Sequence, residues 1–160
     1  MKKIDAEHRL KIDSYIKNGL DISDLIKGYD ISGQNFSCSK IKSLNLTGLK
    51  VSGVNFSNSE IGESTPESTV HLDNATISDC SFIRTRFPGQ VTAVNVWVKN
   101  CNFKGAFMAY FDYKYSHFQN CVWCDTVFSI GTDRGKGAKF DKGFFRELGR
   151  NWNIEVKTKE

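Results

Sequence analysis

Residues 98–128 read VKNCNFKGAFMAYFDYKYSHFQNCVWCDTVF, and a large apolar side chain occupies every fifth position of this stretch. An α-helix repeats its faces every 3.6 residues and a β-strand every 2.0, so neither element has this period. The positions at this spacing are Val98, Phe103, Met108, Tyr113, Phe118, Trp123 and Phe128. A five-residue period sustained over so many units predicts a repeat architecture, in which each unit packs on its neighbours.

The same spacing extends towards the N-terminus in two further runs. The first comprises Ile26, Ile31, Phe36, Ile41, Leu46, Val51, Phe56 and Ile61. The second comprises Leu72, Ile77, Phe82 and Phe87. The phase slips by one residue after each of these runs, and we expect each slip to be a loop at one corner of the repeat. The loops are predicted near 62–71 and 88–97.

Two other positions of the five-residue unit are restricted. The residue two before each apolar centre is usually small, and Asp or Asn often comes directly before the centre. Val54-Asn55-Phe56-Ser57-Asn58 and Cys101-Asn102-Phe103-Lys104-Gly105 are representative units. They resemble the A-(D/N)-(L/F)-x-x unit of the pentapeptide-repeat proteins, over about two thirds of the chain. The resemblance implies an all-β fold, the right-handed quadrilateral β-helix, in which four units form one square coil.

If four units close one coil, apolar centres about 20 residues apart should stack in columns. Allowing one residue for each slip, the first column is Phe36, Phe56, Ile77, Val98 and Phe118. The second is Ile41, Ile61, Phe82, Phe103 and Trp123. Each remaining column then lacks one member, at 66–67 and at 92–93. About five coils at the inter-strand spacing of roughly 4.8 Å would form a rod near 25 Å long.

The ends of such a rod expose unpaired backbone, so we expect a cap at each end. Residues 1–25 are predicted to form an N-terminal helical cap, residues 26–130 the β-helix, and residues 131–160 a basic linker with a helix/strand cap. The resemblance implies that a C-terminal helix of this kind mediates dimerisation. Candidate contacts of a homodimer are Phe144, Phe145, Leu148 and Trp152; the alternative is that they only cover the last coil.

Composition excludes several classes of protein. Hydrophobic residues make up 39% of the chain and charged residues 25%, which does not fit a disordered chain. No apolar run approaches the roughly 20 residues that a membrane-spanning helix needs. The first residues, MKKIDAEHRL, lack the apolar stretch of a secretory signal. We therefore expect a cytoplasmic protein with no membrane association, or a virion component if the gene belongs to a phage.

Reactive side chains are present but dispersed. The cysteines number five, and an odd count without a signal peptide indicates a reducing compartment. Cys121 and Cys124 form a CxxC motif, but Cys121 is predicted to face the interior and Cys124 the surface. The histidines, His8, His71 and His117, share no metal-ligand spacing. We expect no enzymatic activity, no catalytic residues, no metal and no cofactor.

The net charge of +4 is spread as +2 in residues 1–20, −1 in residues 21–130 and +3 in residues 131–160. A nucleic-acid binder concentrates positive charge on one face, so direct nucleic-acid binding is not expected. The resemblance implies a different function, because well-known pentapeptide-repeat proteins imitate DNA with acidic faces and bind topoisomerases such as gyrase. A near-neutral rod lacks the single-sign field that such mimicry needs, which disfavours this alternative.

The favoured interpretation is a non-enzymatic protein-interaction module or structural scaffold, including a component of a larger assembly such as a phage or viral particle. Its partner is a protein or a second copy of the chain. Aromatic side chains near the predicted corners are candidate exposed binding residues, because exposed apolar patches often mark interaction sites. They are Trp97, Tyr110, Phe111 and Tyr115.

Overall fold

Short strands joined by tight turns account for most of the chain. The computed structural model of the protein describes residues 1–65, 68–128 and 135–141. In these ranges the helices are α1 (Ala6–Lys17) and α2 (Ser23–Ile26), and neither has the length and apolar character that crossing a membrane requires. The strands are β1 (Lys2–Lys3), β2 (Tyr29–Asp30), β3 (Lys40–Ile41), β4 (Leu44–Asn45), β5 (Lys50–Ser52), β6 (Glu60–Ile61), β7 (Val70–His71), β8 (Thr76–Ser78), β9 (Arg86–Thr92), β10 (Trp97–Lys99), β11 (Phe107–Asp112), β12 (His117–Gln119), β13 (Val127–Phe128) and β14 (Lys139–Phe140).

Strand pairing in the described ranges is parallel throughout. In the sheet ordered β5-β8-β10-β12-β14, Lys50 pairs with Thr76, Thr76 with Trp97, Trp97 with His117, and His117 with Lys139. These partners lie 26, 21, 20 and 22 positions apart in the sequence. Parallel pairing between successive windings is the arrangement of a β-solenoid. The prediction of a mainly β chain with stacked repeats is confirmed.

The apolar centres are buried and stack in columns inside the solenoid. One column is aromatic, with neighbouring ring centroids 4.6–5.5 Å apart: Phe36, Phe56, Phe82, Phe103 and Trp123. The backbone register defines three further columns in the described residues. They are Ile31, Val51, Ile77, Val98 and Phe118; Ile41, Ile61, Phe87 and Met108; and Leu46, Leu72, Ala93 and Tyr113. Burying large side chains of this kind contributes about 1.5–3 kcal/mol each.

The predicted columns are wrong beyond Ile61, because the first slip is a six-residue insertion and not a single residue. Asn55 bridges to Ser81, so Phe82 follows Phe56 in the aromatic column, and Ile77 follows Val51. Ile61 and Leu72 are thus successive centres, 11 positions apart instead of 5. An insertion of six residues equals one whole five-residue unit plus one residue. It therefore changes the phase of the pattern as much as an insertion of one residue does, and the sequence fits both.

The second slip is not a loop over 88–97. Strand β9 continues to Thr92, where Val91 pairs with both Val70 and Phe111. The extra residue is absorbed as a register shift against β11, between Met108 and Tyr110. Such a bulge accommodates one extra residue while the strand pairing continues on both sides of it. Ala93 is the centre at this corner, in the column where a gap is predicted.

Local hydrogen bonds explain why Asn or Asp precedes so many centres. The side-chain Oδ1 of Asn35, Asn55 and Asn102 accepts a hydrogen bond from the backbone N–H two residues later, at 3.0–3.1 Å. This Asx turn starts each corner. Two residues after the centre, the backbone adopts positive φ, and these positions hold mainly Gly, Asn or Asp. Cys38, Arg84 and Tyr115 are exceptions, with φ of 58°, 53° and 57°.

Helix α1 packs on the first winding of the solenoid. Asp5 caps the helix by accepting a hydrogen bond from the His8 N–H at 2.8 Å, and Ile12 is fully buried beneath it. The Arg9 Nη2 donates to the carbonyl oxygen of Asn35 at 2.8 Å, and its guanidinium lies 4.6 Å from the centroid of Phe36. Arg9 therefore extends the aromatic column and binds a carbonyl at the N-terminal end of the solenoid that the following winding leaves free.

Replacing Arg9 with Ala is expected to lower the free energy of unfolding by about 2 kcal/mol, through the charged hydrogen bond and the cation–π contact. Urea unfolding followed by circular dichroism measures the change. Lys11→Ala is the matched control, because Lys11 is an exposed cation on the same helix. Equal unfolding midpoints for the two variants would show that Arg9 does not hold α1 on the solenoid.

Candidate functional site

The outer surface of the β5-β8-β10-β12-β14 sheet carries the clearest candidate site. Residues on either side of each buried centre point outward, since side chains alternate along a strand. We call this surface the Trp97 face and define it by two outward rows. The row before the centres is Lys50, Thr76, Trp97, His117 and Lys139. The row after the centres is Ser52, Ser78, Lys99 and Gln119.

Two aromatic rings lie at the middle of the Trp97 face. The indole of Trp97 stacks on the imidazole of His117, with centroids 4.5 Å apart and planes inclined by 28°. The two residues are paired across β10 and β12, so the sheet register fixes the stack. Trp97 is nevertheless 52% exposed, and neither ring has a hydrogen bond to another described residue. An exposed tryptophan held rigidly in this way is typical of interaction surfaces.

Lysines surround this aromatic pair. Lys50, Lys99 and Lys139 are exposed, and none of them forms an ion pair with any residue in the described ranges. The nearby carboxylate of Asp79 accepts hydrogen bonds from Asn100 at 3.0 Å and Ser52 at 3.4 Å. The hydrogen bond from Asn100, more than any other contact, holds the pKa of Asp79 below its ordinary value. These hydrogen bonds hold Asp79 at the corner after β8, where the charge of Lys99 also acts on it. Among the residues that define the Trp97 face, the side chains with a permanent charge are all lysines.

Three of the predicted binding aromatics are exposed, but they do not form one cluster. Tyr110 is 55% exposed on β11, where it pairs with Gln90 in a different sheet from Trp97. Tyr115 is 51% exposed at the corner that leads into β12. Its ring lies against Gly137, where an added Cβ would be 2.6 Å from Tyr115 Cδ1. Their role in binding stays a prediction.

The prediction that Phe111 is exposed is wrong. Phe111 is 4% exposed and stacks on Tyr113 with ring centroids 5.7 Å apart. It lies two residues before the centre Tyr113, at a position that is buried in most of the described units. The preceding winding has the small centre Ala93 beside it, which leaves room for a phenyl ring at this position.

Replacing Tyr115 with Asn is expected to raise the free energy of unfolding by about 1 kcal/mol, because Asn tolerates positive φ and a bulky residue does not. For a chain of this size, the melting temperature should rise by about 2–4 °C. Differential scanning calorimetry measures it. The control is Tyr110→Asn, which exchanges an equally exposed tyrosine on a strand. A melting temperature that falls would show that the contact with Gly137 outweighs the backbone strain.

Three of the five cysteines lie inside the solenoid. Cys80, Cys101 and Cys121 are buried, whereas Cys38 is exposed and Cys124 half-buried. Burial raises the pKa of Cys121 to about 11, which keeps it protonated at neutral pH. The residues described contain no group of three or more His, Cys, Asp or Glu that could hold a metal.

The candidate homodimer contacts Phe144, Phe145, Leu148 and Trp152 lie outside the described residues. Conversely, sequence reasoning did not select His117 or the lysines of the Trp97 face. The sequence does contain a signal for His117. Trp97 and His117 each lie directly before a centre and are 20 residues apart, which places them on neighbouring windings. Lys50 could not be added to that row without knowing the length of the first insertion.

Comparison with known proteins gives only distant similarities. No family model and no curated protein matches the chain. Among solved structures, a trypsin-treated variant of QnrB1, a plasmid-mediated fluoroquinolone resistance protein, is 14% identical over 79% of this chain and 99% of its own, with a TM-score of 0.28. The pentapeptide repeat protein Rfr23 from the cyanobacterium Cyanothece 51142 is 14% identical over 80% of this chain and 97% of its own, with a TM-score of 0.24. Similarities at this level support no inference about family or activity, so the function has to be inferred from the chain's own surface.

Proposed function

We propose that this chain is a non-enzymatic protein-interaction module that binds a partner protein through the Trp97 face. The solenoid supplies a rigid, flat support, because every strand of the sheet is paired to its neighbours. The observation that carries the proposal is the exposed indole of Trp97, stacked on His117 and surrounded by lysines without ion pairs in the described part of the chain.

The finer architecture belongs to the same proposal. We infer a right-handed quadrilateral β-helix of pentapeptide repeats, with about five coils at the usual inter-strand spacing. Residues 1–25 would cap it at the N-terminus, and residues 131–160 would cap it at the C-terminus and contribute to self-association. The four columns of centres and the packing of Arg9 and Ile12 on the first winding support this interpretation.

The charge of the Trp97 face bears on the alternative of a DNA mimic that binds a topoisomerase. Mimicry of phosphate requires a surface of negative electrostatic potential, and this face presents Lys50, Lys99 and Lys139. We therefore favour a partner that is recognised by cations and aromatic rings.

The experiment that tests the proposal is affinity capture from the native host followed by quantitative mass spectrometry. Wild-type protein, Trp97→Ala and Lys104→Gln are compared as baits; Lys104 is an exposed lysine outside the Trp97 face. We expect at least one protein to be retained by wild type and Lys104→Gln and lost with Trp97→Ala. The same proteins captured equally by all three baits would contradict a role for this face.

A further inference from the structure

We infer that the Trp97 face recognises an extended, acidic segment of its partner, in which two carboxylates flank a central apolar or aromatic side chain. This inference rests on the proposed function and adds the chemistry of the partner. It combines the hydrogen-bonding character of the face, the spacing of its lysines and the orientation of its rings.

The hydrogen-bonding groups of this surface are biased towards donors. Lysine ammonium groups and the indole N–H can only donate hydrogen bonds. Lys50, Lys99 and Lys139 form no ion pair with a described residue, although the charge of Lys99 acts on Asp79, and the indole of Trp97 has no acceptor in the described ranges. A ligand that completes this surface must therefore bring acceptors and negative charge, which a run of Asp or Glu supplies.

The spacing of the lysines sets the spacing of the carboxylates. Lys50 lies two rungs from Trp97 on one side, through Thr76, and Lys139 lies two rungs away on the other, through His117. Two rungs correspond to about 10 Å. A chain in the polyproline II conformation spans this distance in about three residues and brings every third side chain back to the same side. A segment lying along the row would present acidic-x-x-aromatic-x-x-acidic, with its central side chain on the exposed part of the indole.

The orientation of the rings favours a peptide over a single-stranded nucleic acid. Stacking of bases on aromatic ring faces supplies much of the affinity in single-strand binding. Here the imidazole of His117 already covers one face of the indole, and the register places Thr76 on the side of the other. Residues 21–130 also sum to a charge of −1, which leaves little phosphate neutralisation to drive binding.

Fluorescence anisotropy with synthetic peptides tests the inference. The probe contains Glu-Gly-Ser-Phe-Gly-Ser-Glu, and the matched peptide has Gln in place of both Glu residues. We expect the Glu peptide to bind at least tenfold more tightly, and Trp97→Ala to weaken its binding tenfold or more. Lys50→Gln and Lys139→Gln should each weaken it about two- to fivefold. Lys104→Gln, the same change away from the face, should leave the affinity unchanged.

Several outcomes would overturn the inference. They are an undetectable affinity for the Glu peptide at millimolar concentration, equal affinities for the Glu and Gln peptides, and binding that ignores Lys50→Gln and Lys139→Gln. Oligothymidine that binds more tightly than the Glu peptide and competes with it would assign the face to nucleic acid. If the Glu peptide does not bind while partner capture still depends on Trp97, the proposed interaction function stands and the inference of an acidic partner segment is wrong. If capture is also independent of Trp97, both proposals fail.

Discussion

Replacing Phe103 with Asp is expected to unfold the solenoid. Phe103 is 5% exposed and lies in the aromatic column between Phe82, at 5.0 Å between ring centroids, and Trp123, at 4.6 Å. The substitution removes both stacking contacts and places a carboxylate inside a buried, aromatic column, away from water. An unpaired buried charge costs several kcal/mol, which is comparable to the whole stability of a domain of this size.

The matched control for this prediction is Asn102→Asp, which introduces the same carboxylate one residue earlier. Asn102 points outward, and its Oδ1 accepts a hydrogen bond from the Lys104 N–H at 3.0 Å, which an Asp oxygen can also do. Circular dichroism and thermal melting should show a folded chain for Asn102→Asp and no cooperative transition for Phe103→Asp. A folded Phe103→Asp with an unchanged melting temperature would mean that the inward and outward positions have been assigned in reverse.

A methyl group at Gly89 is expected to cost about 2–3 kcal/mol. Gly89 is buried where strand β9 packs against Glu63 and Ser68 of the six-residue insertion. An added Cβ would overlap the carbonyl oxygen of Glu63 and lie 2.8 Å from that of Ser68. Both obstacles are backbone atoms, so a side-chain rotation cannot relieve them. Urea unfolding of Gly89→Ala measures the loss.

A chain lacking residues 63–68 serves as the background for the corresponding double-mutant cycle. The deletion removes the Glu63 and Ser68 carbonyls and brings Ile61 and Leu72 to the ordinary spacing of five. We expect this shortened chain to fold, and Gly89→Ala to cost less than about 1 kcal/mol in it. An equal cost in both backgrounds would place the strain within β9 itself.

The period of apolar residues was sufficient to predict which side chains are buried on each winding. It could not predict how the windings join across an insertion, because the pattern shows only the change of phase and not the number of five-residue units that the insertion contains. Phe36 and Phe56 were therefore placed correctly with respect to each other, whereas Ile77 was predicted above Phe56 and the structure has Phe82 there. Backbone pairing of Asn55 with Ser81 resolves the ambiguity.

Phe111 shows a second limit of sequence reasoning. As an aromatic residue near a predicted corner, Phe111 is expected on the surface. The structure accommodates it because the neighbouring winding has Ala93 where others have Leu or Tyr. The large side chain of Phe111 and the small side chain of Ala93 lie on neighbouring windings and fill the space together. The sequence of one five-residue unit does not show which side chain lies on the neighbouring winding.

The candidate site was predictable only in part. The exposure of Trp97 follows from its position directly before a centre, and this much was predicted. Its partner His117 and the flanking lysines become a single surface only when the register of five strands is known. Lys50 and Lys139 are 89 positions apart in the sequence but only four rungs apart in the sheet.

The insertion between Ile61 and Leu72 also shows that a corner of this solenoid tolerates extra chain without disturbing the later windings. Downstream units take their register from the winding beneath them and not from the length of the connection, and loop closure costs rise only slowly with length. This corner is therefore a natural site for displaying a foreign peptide. A grafted epitope or binding loop would project from one edge of the rod while the Trp97 face keeps its geometry.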